Sequence, residues 1–119
     1  MLDGSVPVLL IPEADPSRLY DALLKISMKE RTRRLTIYVW MAGDNAERHV
    51  EKVRSIISLN HMLTLSFFFI PSNYEVSRKQ NHNRVYIVFP ETHKEIALSL
   101  VNQLSEMKIE VIEVMIPGL

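Results

Sequence analysis

The segment Met62–Pro90, MLTLSFFFIPSNYEVSRKQNHNRVYIVFP, decides how the rest of the chain is interpreted. Two apolar runs rich in aromatic and β-branched residues, Met62–Ile70 and Arg84–Phe89, read as strands. The polar connector between them, Pro71–Asn83, is longer than the usual hairpin loop of about two to five residues. The segment therefore predicts a long hairpin that carries an extended polar arm.

The arm is basic. It contains Arg78, Lys79 and His82, Arg84 follows at the foot of the second strand, and Glu75 is its one acidic residue. An arm of this charge is suited to contact phosphates of a nucleic-acid backbone. A solvated loop without a partner is the alternative interpretation of the same residues.

Composition limits the class of protein. The chain has 119 residues, of which 47% are hydrophobic and 24% are charged, and its net charge is zero. These values predict one globular domain, and there is no apolar run long enough for a membrane span. With no cysteine, and with Asp3 and no basic residue in the first eight positions, we expect a cytoplasmic protein without a signal peptide.

Charge is distributed unevenly along the chain. Residues 29–54 carry seven basic and four acidic residues, whereas 1–28 and 91–119 are acidic. A basic middle segment indicates a local surface for an anionic partner, although a mixed solvated surface is the simpler alternative. The basic residues that we add to the arm from the charge distribution are Arg31, Arg33 and Arg34, and Lys52 adds to a basic face of the second helix.

Hydrophobic periodicity predicts a single α/β domain over residues 1–119, in the order β-α-β-α-β-β-α-β. Crossover helices make strands parallel and the hairpin makes two of them antiparallel, so we expect a mixed sheet. Thr92 and Glu95 match a capping box for the third helix. Glu110 and Glu113 predict that the last strand is an exposed edge protected by charge.

No motif marks an enzyme, a metal site or a cofactor. The four histidines lack metal-ligand spacing, no serine lies in a nucleophile elbow, and the three glycines form no phosphate-binding loop. The turn Gly43–Asn45 between a strand and a helix could hold a phosphate on backbone N–H groups, or be an ordinary turn. We predict no catalytic residue, no metal and no cofactor.

The consecutive rings Phe67, Phe68 and Phe69 cannot all point to one face of a strand. A ring left exposed could serve a dimer interface or stack on a base. Burial on both faces of the sheet is the alternative, and Tyr38 and Trp40 raise the same question on the second strand.

Residues 6–90 resemble the Alba superfamily of archaeal nucleic-acid-binding proteins, both in element order and in the long basic hairpin. The segment Ala42–Val50 is similar to the family's strand-to-helix motif: Gly43 and Val50 fit, and Arg48 takes the place of a lysine. The family carries paired lysines in its first loop, where this chain has the acidic Pro12–Asp15. Residues 91–119 form a helix and strand extension that the family core lacks.

The resemblance implies a homodimer that binds DNA or RNA with little sequence preference, through Arg48 and the arm residues Arg78, Lys79 and Arg84. Two other functions stay open. One is a ligand-sensing or regulatory Rossmann-like domain, whose site would lie at the carboxyl ends of the strands. The segments at those ends are Pro12–Asp15, Met41–Asn45 and Pro90–Thr92. The other is a protein-interaction module.

Overall fold

Five parallel strands form one sheet in the computed structural model, which describes residues 5–41, 46–70 and 83–117. The spatial order is β3-β2-β1-β4-β5, and all four pairings are parallel. The prediction of a single α/β domain is confirmed. The strands are β1 (Val6–Leu10), β2 (Arg34–Trp40), β3 (Thr64–Ile70), β4 (Arg84–Pro90) and β5 (Glu110–Ile116).

The predicted hairpin and the predicted mixed sheet are wrong. β2 and β1 lie between β3 and β4, and β3 and β4 run in the same direction, so the two strands cannot form a hairpin. The reason is visible in β4, where every residue after Arg84 is buried. Strands that are apolar on both faces are typical of parallel sheets covered by helices. An apolar run identifies such a strand without identifying its neighbour.

Helices cover both faces of the sheet. On one face α1 (Pro16–Glu30) and α2 (Ala46–Leu59) bury Leu23 and Ile56 against β1, β2 and β4. On the other face α3 (Lys94–Glu106) buries Leu100 against the same sheet. The helix after β1 and the helix after β4 therefore lie on opposite faces. Among the helices in the described ranges, none is both long and apolar enough to cross a bilayer.

Pro7 lies in β1, the central strand, where a missing N–H group would normally cost a ladder hydrogen bond. The N–H of Ile11 donates to the carbonyl of Val88 at 2.9 Å, so the odd-numbered residues of β1 direct their backbone N–H and C=O groups toward β4. The β1–β4 register begins only at Val8. The backbone nitrogen of Pro7 is directed toward β4, at a position before the β1–β4 pairing begins. Its missing N–H therefore removes no hydrogen bond from the β1–β2 ladder, which is complete.

The capping box predicted at Thr92 is wrong. A 3-10 turn, Glu91–His93, precedes α3, so His93 occupies the cap position. The Thr92 hydroxyl instead lies 3.0 Å from Nδ1 of His93. Because α3 begins at Lys94, one residue later than a cap at Thr92 requires, Glu95 is the second helical residue and not the third residue of a capping box.

β5 is an edge strand, as its glutamates predict: Glu110 and Glu113 are both exposed. It pairs with β4 over seven residue positions, from Arg84–Glu110 to Pro90–Ile116. Residues of its inner face, Val114 and Ile116, join the core under α1. The carboxyl-terminal helix and strand are therefore part of the same sheet and core as the first 90 residues.

Candidate functional site

The strand order reverses between β1 and β4. β1 is followed by a loop, Pro12–Asp15, that leads to α1 on one face, and β4 is followed by the turn Glu91–His93, which leads to α3 on the other. The connections that follow these two adjacent strands thus diverge to opposite faces of the sheet at the carboxyl ends of the strands. In open α/β sheets this is the place where a crevice forms and ligands bind.

A buried contact between His49 and Glu13 fixes the loop after β1. Nε2 of His49, which is 2% exposed, lies 2.7 Å from Oε1 of Glu13. The Glu13 N–H donates to the carbonyl of Ile11 at 3.0 Å, and Nζ of Lys52 donates to the carbonyl of Ala14 at 2.8 Å. The amino-terminal half of α2 therefore holds the Glu13 loop against the end of the sheet.

The second ring nitrogen of His49 is buried at the same contact. This atom, Nδ1, has no hydrogen-bond partner within the described parts of the chain. Whether a histidine ring nitrogen donates or accepts a hydrogen bond depends on the tautomer of the ring. Buried polar atoms are rarely left without a partner, which makes Nδ1 of His49 an exception among the described residues.

The helices begin at this same end of the sheet. α1 starts at Pro16, α2 at Ala46 and α3 at Lys94, each after the carboxyl end of the preceding strand. The N–H groups of a helix amino terminus favour anions. Arg48, predicted to bind nucleic acid, is exposed in the first turn of α2. The turn Gly43–Asn45 lies outside the described residues.

The opposite end of the sheet is basic. Arg31 ends α1 with a left-handed backbone (φ 56°), and Arg33 and Arg34 follow in the turn into β2. Arg84 begins β4, level with the start of β2 across β1. All four arginines are exposed. The structure therefore brings these four predicted residues to the amino end of the sheet.

One of these arginines is compensated by an acid. Nη2 of Arg84 lies 2.7 Å from Oε1 of Glu30, and the Tyr86 hydroxyl donates to the other carboxylate oxygen. Burial, together with the hydrogen bond to Glu30 and the charge of Glu30, raises the pKa of Tyr86 from 10.0 to about 12. Arg84 is thus less able than Arg31 or Arg33 to neutralise the charge of a partner.

The predicted nucleic-acid-binding residues that lie within the described ranges are divided between the two ends of the sheet. Arg48 and Lys52 belong to α2 near the carboxyl ends of the strands, and Lys52 is engaged with the loop after β1. The four arginines described above lie at the amino ends. The remaining predicted residues, Arg78, Lys79 and His82, lie outside the described residues.

Sequence reasoning missed the pairing of Glu13 with His49. A signal was present, because His49 falls four residues before Val53 on the apolar stripe of α2. A histidine on a buried stripe needs a polar partner, and the acidic loop of Glu13 follows a neighbouring strand. A metal role for the pair finds no support in the described parts of the chain, where no three ligating side chains cluster.

Comparisons of the chain with protein-family models, curated proteins and solved structures found no significant match.

Proposed function

We propose that this protein is a ligand-binding domain that takes a small polar anion, with nucleotides as the first class to test, at the carboxyl ends of β1 and β4. The observation that carries the proposal is the reversal of strand order between these two strands. The crevice rule for open α/β sheets applies to the arrangement whatever the family.

Groups around the crevice support this ligand class. Helix amino termini favour a phosphate or carboxylate, and Arg48 adds an exposed positive charge beside one of them. The Glu13 carboxylate, at the carboxyl end of β1, can accept a hydrogen bond from a ligand hydroxyl. A nucleotide supplies both kinds of group, since it joins a phosphate to hydroxyl and amino donors.

The test is a thermal-shift screen of mono-, di- and cyclic nucleotides, with inorganic phosphate as a separate arm. A ligand present at a hundred times its Kd stabilises the native state by about 2.7 kcal/mol. For a domain of this size that corresponds to a rise in Tm of roughly 10 °C. We expect Glu13→Gln and Arg48→Ala to reduce the shift.

Arg33→Ala is the matched control, because it removes an exposed arginine at the other end of the sheet. The shift should be unchanged in this variant. A screen in which no nucleotide raises Tm, or in which the shift survives both Glu13→Gln and Arg48→Ala, would reject the proposed site. Stabilisation by phosphate alone would narrow the ligand class to simple anions.

Nucleic-acid binding is the second candidate function, and the observation that favours it is the gathering of Arg31, Arg33, Arg34 and Arg84 at the amino end of the sheet. Exposed guanidinium groups at one end of a small domain can contact successive phosphates of DNA or RNA, and Arg31 and Arg33 are the main candidates because Arg84 is paired with Glu30. This proposal does not need the hairpin, which the sheet excludes.

Salt-dependent binding distinguishes the two functions. Each phosphate contact contributes about 0.9 to the slope of log K against log salt for duplex DNA, so replacing Arg31 and Arg33 by alanine should lower the slope by about 2. Arg48→Ala, at the opposite end, should leave the slope unchanged. Absence of binding to duplex DNA, single strands and structured RNA at low salt would reject this candidate.

A further inference from the structure

The outer edge of β3 is open within the described ranges, where only β2 pairs with this strand. The N–H of Thr64 donates to the carbonyl of Arg33 at 2.7 Å, and the N–H of Met41 donates to the carbonyl of Ile70 at 2.8 Å. The even-numbered residues of β3 therefore bond to β2, and alternate residues of a strand direct their backbone groups to opposite edges. The residues that face outward are Leu65, Phe67 and Phe69.

This edge lacks the protection that isolated edges normally have. β3 reads TLSFFFI, with no charged residue and no proline. The other open edge, β5, carries two exposed glutamates, Glu110 and Glu113. Charges on an edge strand prevent pairing with another chain, and a long apolar edge without them is a template for such pairing. The β5 edge of the sheet is therefore protected by charge, whereas the β3 edge is not.

The open edge is complementary to itself. In an antiparallel pair of β3 strands with Phe67 on the two-fold axis, Phe67 meets its copy and Leu65 meets Phe69 of the second copy. All three are outward-facing residues, so the backbone donors and acceptors of both strands match. Side chains opposite each other are aromatic or aliphatic, a favourable kind of cross-strand pair. No charged side chain meets a like charge across the axis.

The neighbouring helix presents an apolar side chain toward the same edge. Ile57 of α2 is 53% exposed, although Ile56 beside it is fully buried. Lys52 reaches the loop after β1, and Ile57 lies about 140° from Lys52 around the helix axis, on the side turned toward β3. Phe69, 41% exposed, lies on the face of the sheet that α2 covers. Apolar surface therefore extends from the β3 edge onto α2.

We propose that two copies of this chain associate through antiparallel pairing of their β3 edges, which joins the two five-stranded sheets into one continuous ten-stranded sheet. The two-fold axis passes through Phe67. The pairing is closed, because each copy contributes the same strand and no second β3 edge remains. The ligand crevice at β1 and β4 lies two strands away from this interface, so the association is independent of the proposed function.

Solution mass tests the interface. Sedimentation velocity or light scattering after gel filtration should give twice 13.8 kDa for the unmodified chain. Phe69→Lys places a charge at the outward position of the edge, and the mass should halve. Met115→Lys is the matched control: Met115 is 45% exposed, is the last but one residue of its edge strand and also faces outward. This variant should keep the dimeric mass.

Circular dichroism and thermal unfolding of each variant separate dissociation from unfolding. A folded Phe69→Lys monomer supports the proposal. Should Phe69→Lys fail to fold, Leu65→Pro serves as a second variant, since it removes one outward N–H and no bond to β2. A monomeric unmodified chain, an open series of higher oligomers, or a dimer that survives in Phe69→Lys but dissociates in Met115→Lys each overturns the proposed interface.

Discussion

Tyr86→Phe is a sensitive test of the contacts at the amino end of the sheet. The Tyr86 hydroxyl donates to the Glu30 carboxylate, whose other oxygen lies 2.7 Å from Arg84. Burial and this hydrogen bond raise the pKa of Tyr86 to about 12, against 10.0 for an unperturbed tyrosine. The neutral phenol is therefore favoured in the folded state relative to the unfolded chain.

The sign and size of the effect follow from this difference. A pKa raised in the folded state contributes stability that is fully present below about pH 10 and is lost as the pH rises through about 12. A difference of two pKa units, at about 1.36 kcal/mol each, limits this contribution to the free energy of unfolding to about 2.7 kcal/mol. Because Arg84 is half exposed, solvent screens the interaction, and we expect about 1–2 kcal/mol.

Urea denaturation of the unmodified chain and of Tyr86→Phe, from about pH 8 to pH 12, measures this contribution. The difference between the two free energies of unfolding should fall by about 1–2 kcal/mol across the upper half of that range. Lysine titration is common to both proteins and cancels in the difference. A difference that stays constant from pH 10 to pH 12 would falsify the assignment of the Tyr86 proton to the Glu30 contact.

Two further substitutions have defined outcomes. Asn60→Ala should lower the free energy of unfolding by about 2–3 kcal/mol in urea titrations, because the Asn60 side chain forms hydrogen bonds with the Tyr20 hydroxyl and with both backbone groups of Leu63. An equal loss in Asn102→Ala, the control at an exposed site, would contradict this explanation. Lys108→Gly should raise Tm by a few degrees, because Lys108 adopts a left-handed backbone (φ 63°) that costs a non-glycine residue about 1 kcal/mol; a lower Tm would show that the side chain matters more than the backbone.

The sequence was sufficient to identify the strands and helices but not the neighbours of each strand. The apolar run of β4 is readable from local composition: a strand was predicted over Arg84–Phe89 and is observed over Arg84–Pro90. Pairing of β1 with β4 depends instead on which chain segments can be covered together by helices. Two strands joined by a polar segment look like a hairpin even when two other strands separate them.

Prediction of the candidate site from the sequence was limited in the same way, to contacts between residues that are close in the chain. Arg31, Arg33 and Arg34 were selected as candidates from charge alone, and they lie close together because they are close in the sequence. That Arg84 lies near these three arginines could be learned only from the sheet register, since β1 separates β4 from β2. The contact between Glu13 and His49 joins residues 36 positions apart, and only the packing of α2 beside the loop after β1 brings them to 2.7 Å. Local periodicity places His49 on the buried stripe of α2 but does not identify Glu13 as its partner.

The place of Pro7 in the central strand has a consequence for synthesis of the chain. Val8 aligns with Ile37 early in the sequence, whereas its other partner, Tyr86, emerges much later. Between the emergence of β3 and of β4, about 20 residues or roughly one to four seconds of translation, the β4-facing side of β1 is an uncovered apolar edge. Pro7 faces that side and offers no N–H to a foreign strand. The same residue that shortens the β1–β4 ladder thus shields the nascent sheet from mispairing.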